Sequence, residues 1–156
     1  MLEFIIPVIL LFSVTLFFIL LIWRVNPRKY VSSVTVASAY DSWTQDKLLE
    51  RLWGDHIHLG FYPLDQKYID FRKAKVKFVH ELVNWSGIDK LPRGSRILDV
   101  GCGIGGSSRI LAKYYGFNVT GITISPAQVK RAIELTPYEC NCKFKVMDAL
   151  NLQFED

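Results

Sequence analysis

Apolar positions run unbroken from Phe4 to Trp23, with no charged side chain and only Ser13 and Thr15 as polar groups. At about 1.5 Å per helical residue such a run reaches roughly 30 Å, the thickness of a bilayer's hydrocarbon core. It predicts a transmembrane anchor over residues 1–23. A secretory signal is disfavoured, because Glu3 stands where Lys or Arg would precede the apolar run and no small-x-small cleavage site follows it. Pro7 falls in the first turns, where a missing N–H costs little. Arg24, Arg28 and Lys29 flank the far end and the next carboxylate is Asp41, so the positive-inside bias puts everything after Trp23 in the cytoplasm.

The pattern then changes. Residues 24–39 read as a polar linker with a β-branched middle, VSSVTVASA. From Asp41 to Trp53 the spacing predicts one helix, with Asp41 or Ser42 as N-cap and Leu48, Leu49 and Leu52 on its apolar side. The stretch GDHIHLGFYP breaks it. From about Asp65 to Trp85, Phe71, Ala74, Phe78, Leu82 and Trp85 recur at steps of three and four, which predicts a helix with those residues as its buried stripe. Arg72, Lys73, Lys75 and Lys77 would be its solvated face, and His80 a structural residue. Residues 87–94, with Pro92, close this helical segment (40–94) as a loop. From residue 95 onward the pattern alternates. RILDV reads as a strand, GGSSRILAKYYG as a helix ending at Gly116, and FNVTGITI as a second strand. SPAQVKRAIEL is a helix with Ser125 as N-cap and Pro126 at its first position, and CKFKVMDAL is a third strand. Strands separated by single helices imply right-handed crossovers and a parallel sheet, so the fold class is α/β, Rossmann-like and doubly wound.

Charge and cysteine content narrow the partners. The chain carries 19 basic against 15 acidic residues, and Glu3 lies on the far side of the apolar run, so the remainder is more basic still. That balance suits a domain held against an anionic membrane surface. A nucleic-acid partner is not supported, since no aromatic and basic side chains interleave as a stacking groove requires. Cys102, Cys140 and Cys142 cannot form an even disulfide framework and make no C-x-x-C pair, so they read as reduced thiols. Cys102 is explained by its small size.

The candidate chemistry lies just past the first strand, where Gly101, Gly103, Gly105 and Gly106 fall within six residues. GCGIGG satisfies G-x-G-x-x-G, the letters of a dinucleotide site, but that site needs an acidic residue about 20 positions on for the ribose. From Cys102 to Ile133 there is no carboxylate. The distinguishing residue is instead Asp99, which gives D-x-G-x-G-x-G. A carboxylate here repels a pyrophosphate and suits a ligand carrying a cationic amino group, while the glycines let that ligand lie against backbone N–H groups.

The run ILDVGCGIGGSSRILAKYYGFNVTGITISPAQVKRA, together with WGDHIHLGFY, resembles the membrane-anchored, S-adenosyl-L-methionine-dependent methyltransferases of tocopherol and plastoquinone synthesis, and the resemblance covers essentially the whole chain. It implies a class I methyltransferase domain, with Asp99, Gly101, Gly103 and Gly105 as the methionine-side wall. The ribose hydroxyls would be held by Thr123 and by Gln128 five residues on, in place of the more usual acidic residue, with Ile124 alongside. The resemblance also implies that Asp148 accepts from the adenine amino group, with Ala149 near the ring, and that the segment 40–94, with Tyr40 and Tyr62, closes over the cofactor as a lid. The implied reaction is transfer of a methyl group to a ring carbon of a prenylated benzoquinol drawn from the bilayer. The implied location is a plasma or thylakoid membrane, as a single-pass protein with its catalytic side cytoplasmic. A tocopherol, sterol or other lipid methyltransferase is the neighbouring alternative.

His56 and His58 stay open between three roles. As H-x-H on an extended segment they could pair on a metal, but the sequence offers no third ligand at suitable spacing. They can equally be structural, or belong to the lid, where either could act as a general base on the acceptor phenol. The resembling enzymes continue with further strands after the third, so the expectation is a truncated domain, 95–156, that does not turn over by itself and binds cofactor at most.

Overall fold

A computed structural model describes residues 10–20, 32–65 and 68–154. The chain divides into two compact units, Met1–Val31 and Ser32–Asp156. In the first, residues 10–20 are helical (α1), with the Thr15 hydroxyl turned back onto the Leu11 carbonyl at 2.7 Å. No helix among the described residues is long and apolar enough to cross a membrane. Both ends of the expected anchor and its basic flank, Arg24, Arg28 and Lys29, lie outside the described residues.

The second unit runs α2 (Ser33–Gln45), α3 (Leu48–Trp53), α4 (Phe71–Ser86), a 3-10 turn (Ile88–Lys90), β1 (Arg96–Val100), α5 (Gly106–Tyr115), β2 (Asn118–Thr123), α6 (Pro126–Leu135) and β3 (Cys142–Val146). The strands form one parallel sheet in the order β1-β2-β3, with Ile97 opposite Val119 and Val119 opposite Cys142. The expected α/β alternation is therefore present, with β3 ending at Val146 rather than running to Leu150. Val83, Leu111, Ala112, Phe117 and Val119 form the core between α4, α5 and the sheet. At about 25 cal/mol per Å² of apolar surface, burial of this kind is the main stabilising term. Beyond it, β1 keeps Leu98 and Val100 at 40% and 54% exposure.

The N-terminal helices differ from the periodicity reading. The first starts at Ser33, inside the expected linker, where the Thr35 hydroxyl accepts from the Ser32 N–H at 3.3 Å, the reach-back half of a capping box. Asp41 caps no helix of its own. It lies in mid-helix, accepts from the Ser125 hydroxyl and from the Ala127 N–H at 3.0 Å, and so lends its charge to the positive N-terminus of α6. Ser125 completes that cap by accepting from the Gln128 N–H. The expected single helix 41–53 is broken at Lys47, whose φ of 51° ends α2 and lets α3 begin.

Helix α4 begins at Phe71 rather than near Asp65, because Asp70 accepts from the Arg72 and Lys73 N–H groups. Its buried face is Ala74, Lys75, Val79 and Val83. Of the expected stripe Ala74 alone is buried, while Phe71, Phe78, Leu82 and Trp85 keep 36% exposure or more. Period fixes which residues share a face, but the partner decides which face is covered. Here Gly60 lies directly on Ala74, where a glycine Cβ would come within 2.5 Å of the alanine's. Of the four basic residues Lys75 is buried, and Arg72, though exposed, is tied to the backbone. Arg72 donates to the Arg51 and Leu52 carbonyls, and the buried Lys75 to those of Trp53 and His56, so both satisfy the orphan acceptors at the end of α3. His80, as expected, is structural, its Nδ1 2.7 Å from the Tyr115 hydroxyl.

Candidate functional site

The C-terminal ends of β1 and β2, the chain leaving β3 and the 55–58 segment enclose a cleft of about 360 Å³. Its position follows from the parallel sheet, whose strands all point their carboxyl ends to one edge. Asp99, Gly101 and Gly103 form one wall, Thr123, Ile124 and Gln128 another, and Ala149 the far side, while Tyr40, His56 and His58 reach in from the N-terminal segment. A second cavity of about 310 Å³ shares Ile124 and Met147 with it and is lined by Val34, Ala37 and Asp148. Gly105 and Tyr62 line neither cavity.

The glycines divide by what surrounds them. Gly101 (φ 74°) and Gly103 (φ 56°) have nothing within 4 Å of where a side chain would start, so their bare backbone faces open cleft. The other two are packed. A Cβ on Gly105 would sit 2.7 Å from the Phe144 ring, and one on Gly106 2.8 Å from the His56 ring. The turn itself is held by the Gly101 and Cys102 N–H groups, which both donate to the Ile122 carbonyl.

Asp99 is only partly exposed and accepts from the Ser108 hydroxyl at 2.6 Å. Burial pushes its pKa above the ordinary 3.8, against the opposing pull of the Ser108 bond and the nearby His58. A carboxylate held in that state is matched by a ligand that brings a positive charge. Thr123 and Gln128 are both buried, and the threonine hydroxyl donates to the glutamine oxygen at 2.7 Å, which turns the amide hydrogens to other acceptors. In the neighbouring cavity the Asp148 carboxylate accepts from the Leu150 N–H. The Cys102 thiol is buried beside Asp99, and burial pushes its pKa up to about 12, so it stays protonated and inert.

His56 and His58 form a direct pair, Nδ1 to Nε2 at 3.0 Å, and His58 Nδ1 lies 2.8 Å from the Leu59 carbonyl. A carbonyl only accepts, so a neutral His58 carries its hydrogen on Nδ1, its Nε2 accepts from His56 Nδ1–H, and His56 Nε2 holds the lone pair. Burial lowers the His56 pKa to about 4, which keeps it neutral near pH 7. The described residues hold no group of three or more His, Cys, Asp or Glu side chains arranged for a metal ion. Sequence reasoning missed Ser108, Arg109 and Asp55. Ser108 had a legible signal, a hydroxyl in the first turn of the helix that follows the glycine run.

Residues 97–156 match the family profile described as "Methyltransferase domain". The chain is 59% identical over 135 residues to the 2-methyl-6-phytyl-1,4-hydroquinone methyltransferase of Synechocystis sp., covering 86% of this chain and 42% of that protein. It is 39% identical over 119 residues to the chloroplastic tocopherol O-methyltransferase of Arabidopsis thaliana, covering 70% and 34%. It therefore spans less than half the length of either relative. Among solved structures, the [4+2]-cyclase SpnF superimposes with a TM-score of 0.69 at 26% identity, over 80% of this chain and 46% of that one. The magnesium protoporphyrin IX methyltransferase of Synechocystis with bound SAM gives 0.58 at 27%, over 82% and 60%.

Proposed function

From the premise that this chain carries the fold of the S-adenosylmethionine-dependent methyltransferases, we propose that it binds that cofactor in the cleft and serves methylation of a prenylated benzoquinol. The observation that carries the reading is the pairing of Gly101 and Gly103, open to the cleft, with the half-buried, charge-seeking Asp99. Asp99, Gly101 and Gly103 hold the methionine part, Thr123 and Gln128 the ribose diol, and Ile124, Ala149 and Asp148 the adenine, with Tyr40 closing the near side. When bound, the cofactor supplies an electrophilic methyl group on a sulfonium.

The residues of the chain do the rest. The cleft walls exclude water, and the bare glycine backbone lets the cofactor sit deep enough for the acceptor carbon to approach to about 3–3.5 Å. The His56–His58 pair stands on the lid side of the same cleft, where the neutral His56 Nε2 accepts a hydrogen bond from the acceptor's phenol and so makes the adjacent ring carbon more nucleophilic. The 59% identity to a hydroquinone methyltransferase favours a prenylated hydroquinone over a tocopherol as acceptor. SpnF, a cyclase, shows that this fold alone does not settle the chemistry, so the acceptor has to be tested directly.

In the intact protein, methyl-labelled S-adenosylmethionine is expected to label 2-methyl-6-phytylbenzoquinol on a ring carbon, with less transfer to γ-tocopherol. NADH should not displace the cofactor in calorimetry. Tight NADH binding without S-adenosylmethionine heat would sink the reading.

Membrane attachment through the apolar N-terminus belongs to the same proposal, since it brings the site to a substrate dissolved in the bilayer. Membranes washed in carbonate should retain the chain, and protease on the cytoplasmic side should remove Tyr30 onward. Release by carbonate would refute the anchor.

A further inference from the structure

Arg109, on α5, is largely buried and has its guanidinium fixed by three separate parts of the fold. Nη1 donates to the Ile104 carbonyl in the glycine turn at 2.8 Å and to the Thr136 hydroxyl after α6 at 3.4 Å, and Nη2 donates to Asp55 at 2.7 Å. Asp55 immediately precedes His56. Its own carbonyl and the His56 ring occupy the space where a Cβ on Gly106 would be, at 2.6 and 2.8 Å, so this part of the N-terminal segment lies flush on the first turn of α5. From there the order passes on through the His56–His58 hydrogen bond, and the His58 ring rests against Phe78 with centroids 5.4 Å apart.

We propose that the Asp55–Arg109 pair is a positioning device for the reaction: it registers the His56–His58 pair over the cofactor cleft, with Arg109 as the fixed post and Asp55 as the movable latch. The proposal rests on the reading that the acceptor meets the cofactor on the histidine side. The asymmetry of the pair supports the division of roles. The Asp55 side chain is 48% exposed and that of Arg109 13%, and the bonds of Arg109 to Ile104 and Thr136 do not involve Asp55. An ion pair with one partner so open to solvent adds little to stability. Its effect is geometric, because a small misplacement of a group at a reacting centre is costly in rate. The charged and titratable groups around His56 are His58, Asp55, Arg109 and Lys75, of which the last three come from three different elements.

The test compares Asp55→Ala and Asp55→Asn with the wild type in the intact protein. Imidazole nitrogens are read by long-range proton–nitrogen correlation and methyl transfer by steady-state kinetics. The wild type is expected to show one set of signals for each ring, with the proton on Nδ1 that the hydrogen bonds require. Asp55→Ala should replace this with exchange-averaged signals and lower kcat about tenfold, while KM for S-adenosylmethionine changes by less than about twofold and the thermal midpoint holds. Asp55→Asn keeps an oxygen for the Arg109 N–H and should restore the single tautomer. Unchanged ring signals in Asp55→Ala would overturn the proposal, as would a parallel loss of cofactor affinity and thermal stability. If the wild type transfers no methyl group, the functional reading fails, and the ring signals still decide the latch.

Discussion

Gly103→Val is expected to raise the dissociation constant for S-adenosylmethionine at least about a hundredfold, a loss of roughly 3 kcal/mol. Two effects act together. The residue sits at φ 56°, in the left-handed region, where a β-branched side chain is a steric outlier that costs on the order of 1–3 kcal/mol unless the turn moves. The new methyl groups also enter open space that is part of a cleft of only about 360 Å³, so the ligand is displaced even if the backbone holds. The comparison variant is Gly105→Ala, whose Cβ would strike the Phe144 ring at 2.7 Å outside the cleft. It should lower the thermal midpoint and leave the affinity of the surviving folded protein near wild type. Calorimetry on both variants separates the cases. Wild-type binding by Gly103→Val would mean that the glycine run is there for its turn geometry alone.

Asp99→Asn should change stability and binding in opposite directions. Because burial raises the folded pKa above the ordinary 3.8, the fold's advantage from this group is fully present only below that value and is lost as the pH rises through the raised folded pKa. Near neutrality the carboxylate is therefore a burden on the ligand-free protein. Asparagine removes the charge and keeps an oxygen for the Ser108 hydroxyl, so the variant should melt higher than the wild type at pH 7, and the gain should vanish in acid. Its affinity for S-adenosylmethionine should fall about ten- to a hundredfold, the range for a charge-assisted hydrogen bond between ligand and protein. Melting curves across pH, with calorimetry at pH 7, test both halves. An Asp99→Asn protein that melts lower at neutral pH and binds the cofactor as before would remove Asp99 from the site.

The alternation of strands and helices from Arg96 onward was legible because each element there announces itself locally. Ser125 and Pro126 mark the start of α6 and Gly116 the end of α5. Asp99, Gly101 and Gly103 were legible for the same reason, as neighbours in sequence on one strand end. The N-terminal part was not, because its contacts are distant in sequence. Nothing around Asp41 indicates that it caps a helix beginning at Pro126, and nothing around Gly106 indicates that His56 will press on it. Gly105 illustrates the limit well. Its letters belong to the ligand motif, yet its neighbour is Phe144, and only the folded chain shows that this packing and a left-handed φ of 82° account for the missing side chain.

Three carboxylates of the N-terminal segment, Asp41, Glu50 and Asp55, each grip the sheet unit at α6 or α5, with partners 84, 81 and 54 positions further along the chain. That arithmetic sets an order of assembly. During synthesis α2 and α3 emerge before the groups that fasten them exist, and closing loops of this length carries an entropic cost that only a formed partner repays. The strands and helices from Arg96 to Val146 have nearer neighbours to condense with, and they supply Arg109, Arg131 and the start of α6 as anchor points. Helices α2 and α3, though made before their partners, are thus among the last elements to settle, and the cleft gains its roof only when α6 is complete.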